Sequence, residues 1–231
     1  MDYLTIIPAR AGSKGIPNKN IRLINGKPLL AWSIESSLHC NKIKHTIVST
    51  DSNKIAQISR DYGAEVPELR PSGLAQDETP TEPVLIHVLE RLEIQENYRP
   101  DAVILLQPTS PFRKPDSLKK AIGLFEKQQA DSLLSVCPNH HFFWKNSDDP
   151  DPLYPFQSRP RRQDIRPQDQ WFRENGSIYI TKTEILKKYK NRLGGKIVLF
   201  VMSEEESYEI DSEIDFKINE LILKEKYHEN Q

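Results

Sequence analysis

Residues 101–137 read DAVILLQPTSPFRKPDSLKKAIGLFEKQQADSLLSVC, and this stretch decides the fold. DAVILLQ is a short, unbroken apolar run bounded by an acid and by Gln-Pro, the pattern of a strand buried on both faces. PTSPFRKP is loop, stiffened by three prolines. DSLKKAIGLFEKQQ has the spacing of a helix, and DSLLSVC returns to strand. Strand, helix and strand in succession are the unit of a parallel sheet whose faces are covered by helices.

The same alternation extends outward. Upstream, YLTIIP (3–8) is a strand, PLLAWSIESSLHC (28–40) a helix opened by Pro28, HTIVST (45–50) a strand, and NKIAQISRDYG (53–63) a helix closed by Gly63. EVPEL is a weaker extended piece, RPSGLAQDETPTEP a polar loop, and VLIHVLERLEIQ (84–95) a helix. Downstream, residues 138–170 are rich in Pro, Asp, Arg and aromatics and have no clear period. They read as an excursion that covers the site or packs on a partner. WFRENGSIYITK then returns as a strand, TEILKKYK is a short helix, KIVLFVM a last strand, and DSEIDFKINELILKEKY a closing amphipathic helix. The expected architecture is a single α/β domain over 1–231, three-layered, with a mostly parallel sheet and ligands over the carboxyl ends of its strands.

Composition narrows the function. A formal net charge of −1 over 231 residues gives no global basic field for nucleic acid. Cys40 and Cys137 stand far apart and form no metal or redox motif. With no membrane-spanning apolar run and no signal-like start in MDYLTIIPAR, the expected compartment is the cytoplasm. The adjacent His140 and His141 point apart in an extended chain, without a third ligand. RPRRQDIR (159–166) sets Asp164 among its arginines and suits an interface or a funnel for an acidic sugar.

Against that near-neutral background one loop is cationic. IPARAGSKGIPNKN (7–20) leaves the first strand carrying Arg10, Lys14 and Lys19, with Ser13 and two glycines. Arg10 and Lys19 suit the neutralisation of a polyphosphate, Ser13 suits donation to a phosphate oxygen, and Gly12 and Gly15 suit close approach or positive φ. The Gly-x-x-x-x-Gly-Lys-Ser/Thr phosphate loop is absent.

IPARAGSKGIPNKN resembles the signature loop of the CMP-sugar synthetases, in the form found in the acylneuraminate cytidylyltransferases. STD (49–51), LRPSGLAQD (69–77), LLQPTSPFR (105–113), FRENGSIYI (172–180) and YEIDSEIDF (208–216) follow in that family's order and at similar separations, over nearly the whole chain. The resemblance implies a nucleotide-diphospho-sugar transferase-like fold and transfer of CMP from CTP to a nine-carbon 2-keto sugar acid. It also implies a homodimer built partly on the 138–170 excursion. The Kdo cytidylyltransferases match less well, since their loop carries a second arginine and a leucine where this chain has Gly15-Ile16.

Carried over position by position, the resemblance places Ala9, Arg10, Ser13, Lys19 and Asn20 on the nucleotide and its triphosphate, and Arg70 and Thr81 beside the cytosine. Gln107 falls on a sugar contact, Arg173 on the sugar carboxylate with Tyr179 nearby, and Lys145 is a second carboxylate candidate, acting across a dimer interface. An arginine fork is well matched to a carboxylate. Family members often have serine at Thr81, proline at Glu174 and aspartate at Glu209, so these are departures.

Glu209 and Asp211 flank Ile210, so an extended backbone turns both carboxylates to one side. Two hard oxygen ligands there suit Mg2+ (or Mn2+) bridging to the CTP phosphates, with Asp211 the firmer ligand. Helix-start chemistry is the alternative for these acids, and Asp215 belongs to it more naturally. Arg10, Lys19 and Asp211 are the expected catalytic groups. A metal-dependent glycosyltransferase of related fold is a rival, although its acidic motif usually lies mid-chain. A non-catalytic nucleotide sensor is another, opposed by the full set of site residues.

Overall fold

The computed structural model describes residues 1–228. β1 (Tyr3–Pro8) leads through the cationic loop to a hairpin of β2 (Leu23–Ile24) and β3 (Lys27–Pro28), then α1 (Leu29–Leu38). β4 (Ile43–Ser49), α2 (Asn53–Asp61), α3 (Thr81–Glu96), β5 (Ala102–Leu106), α4 (Ser117–Lys127) and β6 (Ser132–Asn139) follow. A second hairpin, β7 (Trp144–Lys145) with β8 (Asp151–Pro152), precedes β9 (Trp171–Lys182), α5 (Thr183–Tyr189), β10 (Ile197–Val201) and α6 (Glu213–His228).

Six strands form one sheet in the order β10-β6-β9-β5-β1-β4. β1 runs parallel to β4 and β5, and β10 parallel to β6, whereas β9 is antiparallel to both β5 and β6. The strand–helix–strand unit at 101–137 is therefore real, but its two strands are not neighbours, because β9 returns between them. Leu30, Ile34, Ile55, Leu118, Ile122 and Phe125 from α1, α2 and α4 pack on one sheet face. Leu85, Leu89 and Leu92 of α3 and Leu186 of α5 cover the other. Burial on both sides explains why β1 and β5 are apolar without alternation.

The β2–β3 turn places Asn25 at φ 48° and Gly26 at φ 78°, the pair of positive angles that a tight two-residue hairpin requires. Gly63 closes α2 at φ 89°. α3 starts at Thr81, three residues before the apolar pattern begins, since Pro83 costs little in a first turn whose amides have no helical partner. EVPEL contributes one isolated bridge, Glu65 to Ile47. The 138–170 excursion holds β7, β8 and three short 3-10 turns, and it leaves Phe143, Trp144 and Phe156 exposed.

β1 lies between β4 on one side and β5 on the other, so connections diverge from its carboxyl end and open a crevice there. β9 enters at the same edge of the sheet. Its register against β6 jumps from Leu134–Tyr179 to Val136–Glu174, and the bulge carries Gly176 to the crevice between the buried Asn175 and Ser177. Among the described residues no helix is long and apolar enough to cross a membrane.

Candidate active site

The cationic loop is anchored to its surroundings by backbone contacts. Ala9 N–H donates to Ser49 O at 2.9 Å, Ala11 N–H to Asp51 Oδ1 at 2.9 Å, and the buried Asn20 Nδ2 to Arg10 O at 2.9 Å. The loop's two glycines differ from one another. Gly12 faces open space, and neither it nor Gly15 has positive φ. A Cβ on Gly15 would sit 2.5 Å from Asp211 O, so this glycine serves a close approach within the chain itself.

A cavity of about 240 Å³ at the ends of β1 and β5 is lined by Arg10, Ser13, Lys19, Asn20, Arg70, Thr81 and Gln107. Thus the structure brings together every expected nucleotide contact with a functional side chain, and buried Ala9 supplies backbone beneath them. Each cation already has a partner. Arg10 is paired with Asp77, Lys14 lies 2.7 Å from the same carboxylate, and Lys19 Nζ donates to Ile210 O at 2.7 Å and Asp211 Oδ1 at 3.3 Å. Arg70 is buried and pairs with neither Glu68 nor Asp77. Its guanidinium donates to Ser49 Oγ at 3.1 Å, to Ser49 O and to Leu74 O. Desolvation pushes it down to about 10.

Gln107 forms part of the wall of a second, more open cavity of about 500 Å³, with Glu82, Glu174, Tyr179, Arg192 and Glu209. The Tyr179 hydroxyl donates to Glu174 Oε2 at 2.9 Å, and Arg192 sits 5.0 Å from the Tyr179 ring centre while donating to Glu82 at 2.7 Å. Burial, then Glu174, drives the Tyr179 hydroxyl pKa up, so it remains a donor. Gly176, at φ 59°, lets Gln107 Oε1 and Glu209 Oε2 both close over the backbone where a Cβ would stand.

The segment carrying the acidic pair is fixed from several sides. Glu206 is buried and accepts from Lys114 N, Ser117 Oγ and Ser203 Oγ. Asn175 Nδ2 donates to Ser207 Oγ at 2.9 Å, Arg173 Nη2 to Ser207 O at 3.1 Å, and Ile210 N to Thr109 O at 2.8 Å. Ile210 is buried against Ile16 and Phe216; of its neighbours, Glu209 lines the second cavity, whereas Asp211 lines neither cavity and lies exposed beside Lys19. Burial first, and Asp211 second, raise the Glu209 carboxyl pKa. Asp215 has the separate task expected of it. It accepts from Ser212 N at 2.7 Å and Asp211 N at 3.1 Å while its own N–H meets Ser212 Oγ, a reciprocal cap on α6. Those bonds outweigh its partial burial and hold its carboxyl low.

Among the described residues no three His, Cys, Asp or Glu side chains are grouped to hold a metal. Glu209 beside Gln107, with Asp211 exposed next to Lys19, nevertheless suits magnesium, which takes one or two protein carboxylates when phosphates complete its shell. Lys145 is not brought to either cavity. It lies exposed on β7, opposite Asp151, because the excursion points it away from its own crevice.

Four residues at the site escaped the sequence reading: Asp77, Gly176, Arg192 and Arg113. Arg113 is buried and donates to Ser33 Oγ at 3.0 Å, Gln107 O at 3.1 Å and Ser177 O at 2.8 Å, joining α1, the end of β5 and β9. Desolvation lowers it to about 9. Asp77, Arg113 and Gly176 all lie inside the quoted strings LRPSGLAQD, LLQPTSPFR and FRENGSIYI, so the signal was present without an assignable partner.

Comparison with known proteins agrees with this geometry. A family model described as Cytidylyltransferase matches residues 4–216. The chain is 36% identical over 232 residues to CMP-N,N'-diacetyllegionaminic acid synthase of Legionella pneumophila, covering 96% of this chain and 97% of that one. It is 34% identical over 229 residues to post-translational flagellin modification protein B of Campylobacter coli, covering 97% and 96%. N-acylneuraminate cytidylyltransferase A of Danio rerio is 35% identical over 222 residues, 93% of this chain and 49% of that longer one. The solved structure of a CMP:2-keto-3-deoxy-manno-octonic acid synthetase complexed with CTP superposes with TM-score 0.73 at 16% identity, covering 98% of this chain and all of that one. That last likeness speaks to the fold.

Proposed function

The chain belongs to the cytidylyltransferase family, and from that premise we propose that it transfers CMP from CTP to a nine-carbon 2-keto sugar acid of the acylneuraminate or legionaminate type. The observation that carries this reading is the shared wall at Gln107, which joins a cation-lined cavity to a second cavity rich in hydrogen-bonding groups. The first suits a triphosphate, and the second suits a polyhydroxylated sugar acid. The anomeric 2-hydroxyl oxygen attacks the α-phosphorus, a new P–O bond forms, and the bond to the β-phosphate breaks to release pyrophosphate.

Arg10 and Lys19 stabilise charge on the phosphates as it shifts toward the leaving group. Arg70 and Thr81 are positioned for the base, where a site with fixed donors rejects mismatched partners strongly. Gln107 orients the attacking hydroxyl, and Arg173, with the remainder of its fork free of the Ser207 contact, takes the sugar carboxylate. Glu209, whose burial favours proton uptake, accepts the hydroxyl proton. Asp211 and Glu209 would hold magnesium, or manganese in its place, which supplies charge neutralisation on the phosphates. We also propose a homodimer, supported by the exposed Phe143, Trp144 and Phe156 of the excursion and by Trp171 at the start of β9. In such a dimer Lys145 or Arg162 would approach the partner's sugar site.

The test is pyrophosphate release and CMP-sugar formation from CTP with sialic, legionaminic, pseudaminic and Kdo acids in parallel. Turnover with a nine-carbon acid and CTP, and little with ATP, is expected. Equal turnover with ATP and CTP, or turnover with Kdo alone, overturns the assignment. Light scattering at micromolar concentration tests the assembly, and a fully active monomer would refute the dimer.

A further inference from the structure

Arg10, assigned above to the triphosphate, and its neighbour Lys14 are held by one carboxylate lining the same cavity. Asp77 lies in the loop before α3, and both Arg10 and Lys14 reach across to it. The pairing is anchored from its cationic side by Asn20, which fixes the Arg10 carbonyl, and by Asp51, which fixes Ala11 N–H. On the other side the loop is tied by Arg70 to Leu74 O and by its own Gln76–Ser72 bond. Two preorganised walls thus meet through a single anion.

The local charge explains why an anion is wanted. Arg10 and Arg70 repel each other across one end of the cavity, where Lys14 adds a third cation; Asp51 offsets the charge on Arg70 but, among the described residues, forms no ion pair with Arg10 or Lys14. Among the described residues Asp77 is the one carboxylate in ion-pair contact with Arg10 or Lys14. Lys14 and Arg10 in turn hold its carboxyl well below the ordinary range, so it is charged under any working condition. A nucleotide triphosphate brings several negative charges to the same cations, and a carboxylate left among them would be repelled.

We infer that Asp77 is an internal counter-ion, occupying the position of a phosphate on Arg10 and Lys14, and that nucleotide binding proceeds by exchanging this carboxylate for the incoming phosphates. The inference rests on the CTP reading, since it concerns the same site. The exchange weakens nucleotide binding, because two ion pairs are broken as two form. It also couples occupancy to the 71–80 loop, which loses its tie to the opening loop when phosphate arrives.

Calorimetric titration of wild type and Asp77→Asn with CTP, inorganic tripolyphosphate and cytidine tests it. Asn keeps the shape in an exposed loop and removes the charge. Asp77→Asn is expected to bind CTP and tripolyphosphate roughly 2- to 30-fold more tightly, the range for releasing two exposed ion pairs, and cytidine no differently. Glu78→Gln, the same change of net charge at an exposed neighbour outside these ion pairs, is expected to leave all three affinities nearly unchanged. Equal or weaker tripolyphosphate binding by Asp77→Asn overturns the inference, as does equal tightening by Glu78→Gln. Wild type that binds tripolyphosphate but not CTP instead defeats the nucleotide assignment, while the Asp77 comparison still reads out on tripolyphosphate.

Discussion

Gly176 and Glu209 cannot both keep their places if Gly176 gains a side chain. The Cβ would overlap Glu209 Oε2 and come within 2.7 Å of Gln107 Oε1, on backbone already at φ 59°. Gly176→Ala therefore displaces an acid and an amide together, with a backbone penalty of about 1–2 kcal/mol for the left-handed conformation. Its kcat is expected to fall at least tenfold while CTP affinity, set by the neighbouring cavity, changes little. Calorimetry and steady-state kinetics on a variant confirmed as folded check this.

Asp211 and Asp215 separate chemistry from capping. Asp211→Asn is expected to lower kcat by roughly a hundredfold or more, the scale for losing one transition-state charge stabiliser. Asp215→Ala loses the reciprocal cap, so it should cost about 1 kcal/mol of stability and leave kcat near wild type. Denaturant melts beside kinetics distinguish the two. A nearly normal Asp211→Asn enzyme would place the metal elsewhere.

Glu209 makes a prediction with two signs. Its carboxyl is raised by burial and by Asp211, so the folded state binds a proton more readily than the unfolded chain. Between the ordinary value and the raised one, stability falls as pH rises, and the penalty persists at neutral pH. Glu209→Gln is accordingly expected to raise the Tm at pH 7 and to lower kcat, by less than Asp211→Asn. A lower Tm for Glu209→Gln would mean its charge is better compensated than its surroundings indicate.

Arg173→Lys keeps charge and loses the fork. The KM for the sugar acid should rise by an amount equivalent to about 1.5–3 kcal/mol, with the KM for CTP nearly constant. An unchanged sugar KM would move the carboxylate contact away from Arg173, with Lys145 of a second copy next in line.

Much of the layer arrangement could be read along the chain because each strand and helix announces its own period. What could not be read was adjacency. WFRENGSIYITK reads as a strand, but nothing local says that it slots between β5 and β6 or that it runs against them. The same holds within the site. Arg10, Lys19 and Asp211 could be picked out by charge and setting, since their roles lie in their own chemistry. Asp77 and Arg113 act through partners 67 and 80 residues away, Arg10 and Ser33, and those pairings exist only after folding. Gly15 shows a contact of the same kind: besides lining the cavity, it makes room for the Asp211 carbonyl, which lies near the other end of the chain.

The anchoring of the acidic segment also sets the order in which the protein can become competent. Lys19 emerges early in synthesis, yet the carbonyl that steadies it follows 191 residues later. Glu206 must find Ser117, 89 residues back, before Glu209 is aimed at the crevice. The cationic half of the site is therefore encoded first but steadied last, since both β9, which fills the middle of the sheet, and the Ile210 carbonyl come from the final third of the chain.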